Sequence, residues 1–152
     1  MLKVGDKAPA FSGVTQTGET ISSTDFEDKN ILLFFYPKDN TPGCTKEVCS
    51  LRDNHEAITA KDTVVIGVSA DSVKKHQNFV DKYDLPFSLI ADEDKVILNA
   101  FKAWGLKKMY GKEYEGIIRM TYLIGADGII KHSWPKVKTA IHGEEVLEIL
   151  SS

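Results

Sequence analysis

The chain has 152 residues, of which 42% are hydrophobic, 9% aromatic and 27% charged, the make-up of a globular domain able to bury its own core without disulfide staples. Nineteen Lys plus Arg against 22 Asp plus Glu leave a net charge of -3 with no run of basic residues, which argues against nucleic acid as a partner. No 18-residue apolar stretch occurs and the first residues lack the apolar core of a signal peptide, so the chain reads as a cytoplasmic protein without a membrane span, residues 1-152 forming a single domain.

The first strong signal runs from Asn30 to Tyr36. Ile31, Leu32, Leu33, Phe34 and Phe35 follow one another without a break until Pro37 stops them, which predicts a strand buried on both faces. Cys44, Val48, Leu51 and Ile58 then fall at helical spacings along one face, and Thr63 to Ala70 reads as a second buried strand. Asp71 to Tyr83 predicts a helix capped by Asp71 or Ser72, with Val73, Phe79, Val80 and Tyr83 inward and three lysines or histidines outward. Phe87 to Ala91 gives a short strand, Asp92 to Trp104 a helix ended by Gly105, and Ile117 to Ile124 another strand. Asp127-Gly128 is a hairpin turn that should pair Ile117–Ile124 with Ile129–Trp134, and Glu144 to Leu150 closes with a helix. Strands alternating with helices and ending in a hairpin predict an α/β architecture, a central mixed β-sheet flanked by helices, in an order that resembles the thioredoxin-like layout.

Only two cysteines are present, Cys44 and Cys49, within PKDNTPGCTKEVC, where the first buried strand hands over to a helix. Thr41 suits the N-cap and Pro42 the first helical position, so Cys44 lies in the first turn, at the positive end of the helix dipole. That field, together with backbone N–H groups that have no helical partner, favours a thiolate and makes Cys44 the candidate nucleophile, although a small buried hydrophobe is the competing reading. Five residues on, an ideal helix sets Cys49 roughly 8.6 Å away and about 140° around the axis. A disulfide needs Cα atoms within about 7 Å, so joining the two in one chain requires the start of the helix to unwind. An inert cysteine at the edge of the core is the alternative for Cys49. Two cysteines with only His55 nearby cannot furnish a closed zinc site, and the pair is too widely spaced for Cys-x-x-Cys chemistry.

Arg119 is one of two arginines and stands inside the apolar run IIRMTYL. Turned inward it would need an anion and could stabilise a Cys44 thiolate, whereas a sheet-face arginine with its head in water fits the strand pattern better on its own. Arg52 reads as a solvated residue or an i, i+4 partner of Glu56. His55, His76, His132 and His142 show no ligand spacing and read as surface or structural residues, and Trp104, Tyr110 and Trp134 carry no assignable chemistry.

With these residues in place, the Pro37, Thr41, Cys44 constellation, Pro-x-x-x-Thr-x-x-Cys, resembles the peroxiredoxin active site, and Arg119 matches that family's distal arginine. The run YPKDNTPGCTKEVCSLRDN, with a second cysteine five residues after the first, is similar to the bacterioferritin comigratory protein (PrxQ) subfamily, and the likeness extends over GDKAPAFSGVTQTGETISSTDF, AWGLKKMYGKEYEGIIRMTYLI and KVKTAIHGEEVLEIL. The resemblance implies a thioredoxin fold and a thiol peroxidase that needs no cofactor and no metal. Its catalytic set would be Cys44, Cys49, Thr41, Arg119 and Pro37, with Cys49 resolving the oxidised Cys44 as a disulfide. Hydrogen peroxide and organic hydroperoxides would be its substrates and thioredoxin or a similar dithiol its reductant, with a monomer or weak dimer as the working form. Two other classes stay open on the residues alone: a thiol–disulfide oxidoreductase of the same fold, and a non-enzymatic holdase with incidental cysteines.

Overall fold

The computed structural model describes residues 1–152 apart from the side chain of Met109. Five strands form the central sheet: β3 (Asn30–Phe35), β4 (Thr63–Ser69), β5 (Ser88–Ala91), β8 (Met120–Ile124) and β9 (Ile130–Trp134), in the order β5-β4-β3-β8-β9. β3, β4 and β5 run parallel, and β8 and β9 add on antiparallel. Two antiparallel hairpins stand outside this sheet, β1 (Ser12–Val14) with β2 (Thr20–Ser22) and β6 (Trp104–Met109) with β7 (Lys112–Ile117). The helices are α1 (Pro42–Asp53), α2 (His55–Thr59), α3 (Val73–Tyr83), α4 (Val96–Ala100) and α5 (His142–Leu150).

β3 is central because its side chains are apolar on both faces. Leu33 and Phe35 join Ile66, Val68, Ile90, Tyr122 and Phe101 in one core layer, while Leu32, Phe34 and Tyr36 join Val48, Leu51, Ile58, Phe79 and Val146 in the other. Successive side chains of a strand point to opposite faces, so the unbroken run of hydrophobics builds two cores at once. Gly67 of β4 has no side chain because a Cβ there would stand 2.6 Å from the Phe34 ring. The Asp127-Gly128 turn, with Gly128 at φ +80, joins β8 to β9 as the turn chemistry predicts, with a bulge between Leu123 and Ile124.

Three expectations change. The helix expected over Asp92 to Trp104 shrinks to α4, because Lys95 (φ 61) and Lys102 (φ 63) adopt left-handed backbone at either end, and Gly105 lies inside β6. The Asp92 carboxylate caps the start by accepting from the Leu98 N–H at 2.8 Å, and the Ala103 N–H closes the end on the Leu98 carbonyl at 2.8 Å. The strand expected over Ile117 to Ile124 is two strands with different partners: Ile117 ends β7 opposite Trp104, whereas Met120 opens β8 opposite Phe35. Arg119 sits in the break between them. Finally, α1 stops at Asp53 and α2 starts at His55, so the apolar face from Cys44 to Ile58 spans two helices that meet at Asn54.

Candidate active site

β3 ends beneath the loop Tyr36–Thr41, which delivers the chain to the N-terminus of α1. Thr41 occupies the N-cap with extended backbone (φ -102, ψ 155) and Pro42 the first helical position, as expected. The Thr41 hydroxyl does not cap the helix; it donates to the Lys38 carbonyl at 2.8 Å and closes the loop on itself. Helix hydrogen bonding begins with the Thr45 N–H donating to the Thr41 carbonyl at 2.8 Å, so the Gly43 and Cys44 N–H groups precede the first intrahelical bond. Pro37 is half-buried where the strand gives way to this loop.

Cys44 is 1% exposed, and its sulfur lies 3.2 Å from Arg119 Nη2. The inward reading of Arg119 is therefore the one realised. Leaving the sheet between β7 and β8 lets the guanidinium reach across the end of the strands to the helix start, with 22% of its side chain still exposed. Its Nη1 donates to Glu47 Oε1, so one guanidinium spans a thiol and a carboxylate. Gly43 permits the approach, since a Cβ there would stand 3.3 Å from Arg119 Nη2. Burial works against the Arg119 charge, but Glu47 and Cys44 more than offset it and raise the guanidinium further above its ordinary value.

Glu47 is absent from the sequence-based site and is completely buried. Burial pushes its carboxyl up to about 7 even though Arg119 pulls the other way, and Oε2 has no hydrogen-bond partner among the described residues. A carboxylate three residues after Cys44 and one before the buried Val48 shares their helix face, which was the available signal. Lys107 was missed as well. Its ammonium donates to the Ile117 carbonyl at 2.8 Å, and burial, followed by the nearby Arg119 charge, lowers it below its usual value. Two cations thus flank the same end of the sheet.

Cys49 is half-buried, belongs to the same α1 helix, and packs on the core layer that also takes Val80 and Tyr83 of α3; both thiols are free. The helix is continuous from Cys44 to Cys49, so the separation of roughly 8.6 Å expected for that spacing applies. Arg52 does not pair with Glu56: it donates to Asp53 Oδ1 at 3.0 Å and to the Tyr83 carbonyl at 2.7 Å, because the end of α3 lies within its reach. Two histidines are fully buried, His142 between Thr121 and Glu145, and His76 beneath the active-site loop rather than on the outer face of α3. A separate cavity of about 570 Å³ opens at the opposite end of β3 and β8, lined by residues including Phe11, Phe26 and Gly128, and contains none of these groups.

A family model described as the AhpC/TSA family matches residues 4–133. Peroxiredoxin Bcp of Bacillus subtilis is 46% identical over 149 residues, covering 98% of this chain and 95% of that protein. A PrxQ mutant from Xylella fastidiosa superposes with a TM-score of 0.93 at 33% identity, covering 99% of this chain and 96% of the other. The Xanthomonas campestris bacterioferritin comigratory protein, solved in trapped intermediate and ligand complexes bearing on its alkyl peroxide reduction, gives a TM-score of 0.87 at 34% identity, covering 93% and 90%. Among the described residues, no helix is long and apolar enough to cross a membrane. With sequence, fold and the arginine-bound cysteine in agreement, the chain belongs to the AhpC/TSA family and, within it, to the thiol-dependent peroxidases of the bacterioferritin comigratory protein (PrxQ) type.

Proposed function

We propose that Cys44 is the thiol that attacks the peroxide, that Arg119, Thr41 and Pro37 form its pocket, and that Cys49 resolves the product, all within one thioredoxin-like domain spanning residues 1-152. The observation that carries this reading is the 3.2 Å contact between Arg119 Nη2 and the Cys44 sulfur at the first turn of α1. A fixed cation and the helix terminus both place positive potential at the attacking sulfur.

The Cys44 thiolate attacks the terminal peroxide oxygen. An S–O bond forms as the O–O bond breaks, the sulfur is oxidised to sulfenic acid, and the departing oxygen takes up a proton as water or alcohol. Negative charge moves from sulfur onto the leaving oxygen, so the donors that faced the thiolate, Arg119 and the Gly43 and Cys44 N–H groups, are aimed where charge develops. The Thr41 hydroxyl has given its hydrogen to the Lys38 carbonyl, which leaves its oxygen lone pairs to accept a hydrogen bond from the peroxide. Pro37 contributes no N–H and limits water at the loop.

Cys49 then condenses with the sulfenic acid, releasing water and forming a disulfide, which requires the first turns of α1 to unwind. A dithiol such as thioredoxin reopens it by exchange, and a cytoplasmic setting, where reductants keep thiols open, suits both free cysteines. The test is reduced protein mixed with one equivalent of hydrogen peroxide, followed by thiol titration and intact mass. Rapid loss of both thiols with a mass decrease of about two daltons, absent in Cys44→Ser, is expected. Oxidation no faster than that of free cysteine would overturn the reading.

A further inference from the structure

Beneath the active-site loop lies a chain of buried polar groups that the chemistry above does not use. Asp39 occupies the middle of the loop and is 8% exposed, and His76 of α3 is 0% exposed. The Tyr36 hydroxyl donates to Asp39 Oδ1 at 2.5 Å, and His76 Nδ1 lies 2.6 Å from Asp39 Oδ2. His76 Nε2 lies 2.9 Å from the Ile90 carbonyl of β5, and since a carbonyl only accepts, Nε2 bears a hydrogen. One further proton lies between Nδ1 and Oδ2, whichever partner holds it. Burial, reinforced by the neighbouring Asp39 charge, raises Tyr36 well above its ordinary value and keeps it a donor. The Asp39 N–H donates to Asp71 Oδ2 at 2.7 Å, and Ser69 Oγ donates to the same oxygen at 3.1 Å.

The next residue is held too. Asn40 adopts left-handed backbone (φ 58), and its Oδ1 accepts from Lys82 Nζ and from the Tyr83 hydroxyl, each at 3.2 Å. The loop that carries Lys38 and Thr41, and through them the first turn of α1, is thus tied to α3 at two consecutive residues and through His76 to β5. The bonds at Asp39 are buried and so hold more firmly than the exposed contacts at Asn40.

We propose that the Asp39–His76 pair positions the active-site loop for attack on the peroxide, resting on the reading of Cys44 as the attacking thiol. It acts through the backbone: by fixing Asp39 it sets where Thr41 and the N–H groups of Gly43 and Cys44 stand relative to Arg119. The same anchor marks the N-terminal limit of the segment that unwinds, so Cys44 leaves its pocket while Asp39 stays in place. Loss of the pair therefore slows the first oxidation and leaves disulfide formation unhindered, a split that loss of stability alone would not produce in molecules that remain folded.

The experiment compares the rate constants for hydrogen peroxide oxidation and for the following disulfide formation in wild type, Asp39→Ala, Asp39→Asn, and the double variant Asp39→Ala/His76→Phe. The double variant removes both polar partners together, so it leaves neither half of the pair buried without the other if Asp39→Ala alone does not fold. Oxidation is expected to fall about tenfold or more in the alanine and double variants, with disulfide formation no slower than wild type. Asp39→Asn can accept from Tyr36 and donate to Nδ1, and should return the oxidation rate to within about twofold of wild type. Wild-type oxidation in a folded Asp39→Ala or double variant overturns the positioning role, as does an Asp39→Asn variant as slow as the alanine variant. Cys44→Ser run in parallel separates the two readings: continued rapid thiol oxidation in that variant overturns the assignment of Cys44 itself.

Discussion

From Ser50 onward, helix α1 is fastened to its neighbours by hydrogen bonds that do not involve sulfur chemistry. Ser50 Oγ accepts from the Gly143 N–H at 2.8 Å and donates to Glu144 Oε2 at 3.2 Å, Asn54 bridges the Ser50 carbonyl and Glu144, and Arg52 reaches the Tyr83 carbonyl. Before Val48, Arg119 supplies the side-chain hydrogen bonds that the same helix receives from outside among the described residues, to both Cys44 and Glu47. The sequence of that first half adds to the asymmetry. Gly43 costs helix stability of about 1 kcal/mol relative to alanine, and Pro42 is suited only to the first turn. The difference teaches that one helix can combine a releasable start with a fixed end. On the proposed chemistry, oxidising the Cys44 sulfur changes the group that Arg119 holds and so weakens the start, while the end stays docked on α5.

The most severe way to break the comparison is to deny the released half its destination. Cys49→Ser should keep the first oxidation within about twofold of wild type, since Cys49 makes no hydrogen bond to Arg119 among the described residues, but abolish thioredoxin-linked turnover and favour overoxidation to sulfinic acid. Coupled reductase assays and intact mass would check this; undiminished turnover would mean that Cys49 is not the resolving thiol. Next in size is removal of the clasp. Arg119→Ala should lower the rate constant for hydrogen peroxide oxidation by about 100-fold, the scale seen when a donor aimed at developing charge is deleted, and stopped-flow tryptophan fluorescence can follow it.

These two residues also mark how far the sequence could be read. Cys49 was placed on the helix with Cys44 because apolar spacing and capping residues are local, and the five-residue offset translates directly into a separation along the helix axis. Arg119 was visible as an odd charge in an apolar run, but its direction was not. The break at Ile118–Arg119 arises because β7 pairs with β6 while β8 pairs with β3, and the exchange of partners is a tertiary event that the seven-residue run IIRMTYL does not record. Lys95 and Lys102 hid the ends of α4 for a related reason: left-handed backbone is usually signalled by glycine, and here it is carried by lysines. Asp39 and His76 lie 37 residues apart and meet only because α3 packs over the loop, so neither looked different from an ordinary polar residue.

The fixed end of α1 makes the third test. Gly143 is the first residue after His142 in α5, and a Cβ added there would run into the Ser50 carbonyl and the Asn54 side chain. Gly143→Ala should therefore destabilise the fold by about 2 kcal/mol, read as a shift in the urea midpoint, while the oxidation rate of the folded protein stays close to wild type. Equal loss of rate and stability would show that the two halves of α1 are not independent.

The last test, and the one that sharpens the comparison most, concerns Glu47. Its carboxyl lies at about 7 in the folded protein against an ordinary 4.5, because burial outweighs the pull of Arg119. A group raised on folding holds its proton more tightly in the native state, so its stabilising contribution is complete below about 4.5 and is lost as pH rises through about 7. Wild type should lose about 3 kcal/mol across that window relative to Glu47→Gln, which cannot ionise, the two stability profiles running parallel below it. Urea denaturation of both at pH 4.5 and pH 8 measures the change, and a constant difference between them would mean that Arg119 keeps Glu47 ionised throughout. The direction matters for the releasable half of α1. Ionised Glu47 adds a buried charge whose second oxygen has no partner among the described residues, so near neutral pH the start of α1 already carries a destabilising group beside its clasp. The fixed half, from Ser50 to Asn54, contains no comparable buried ionisable side chain, and its hydrogen bonds should hold across the same range.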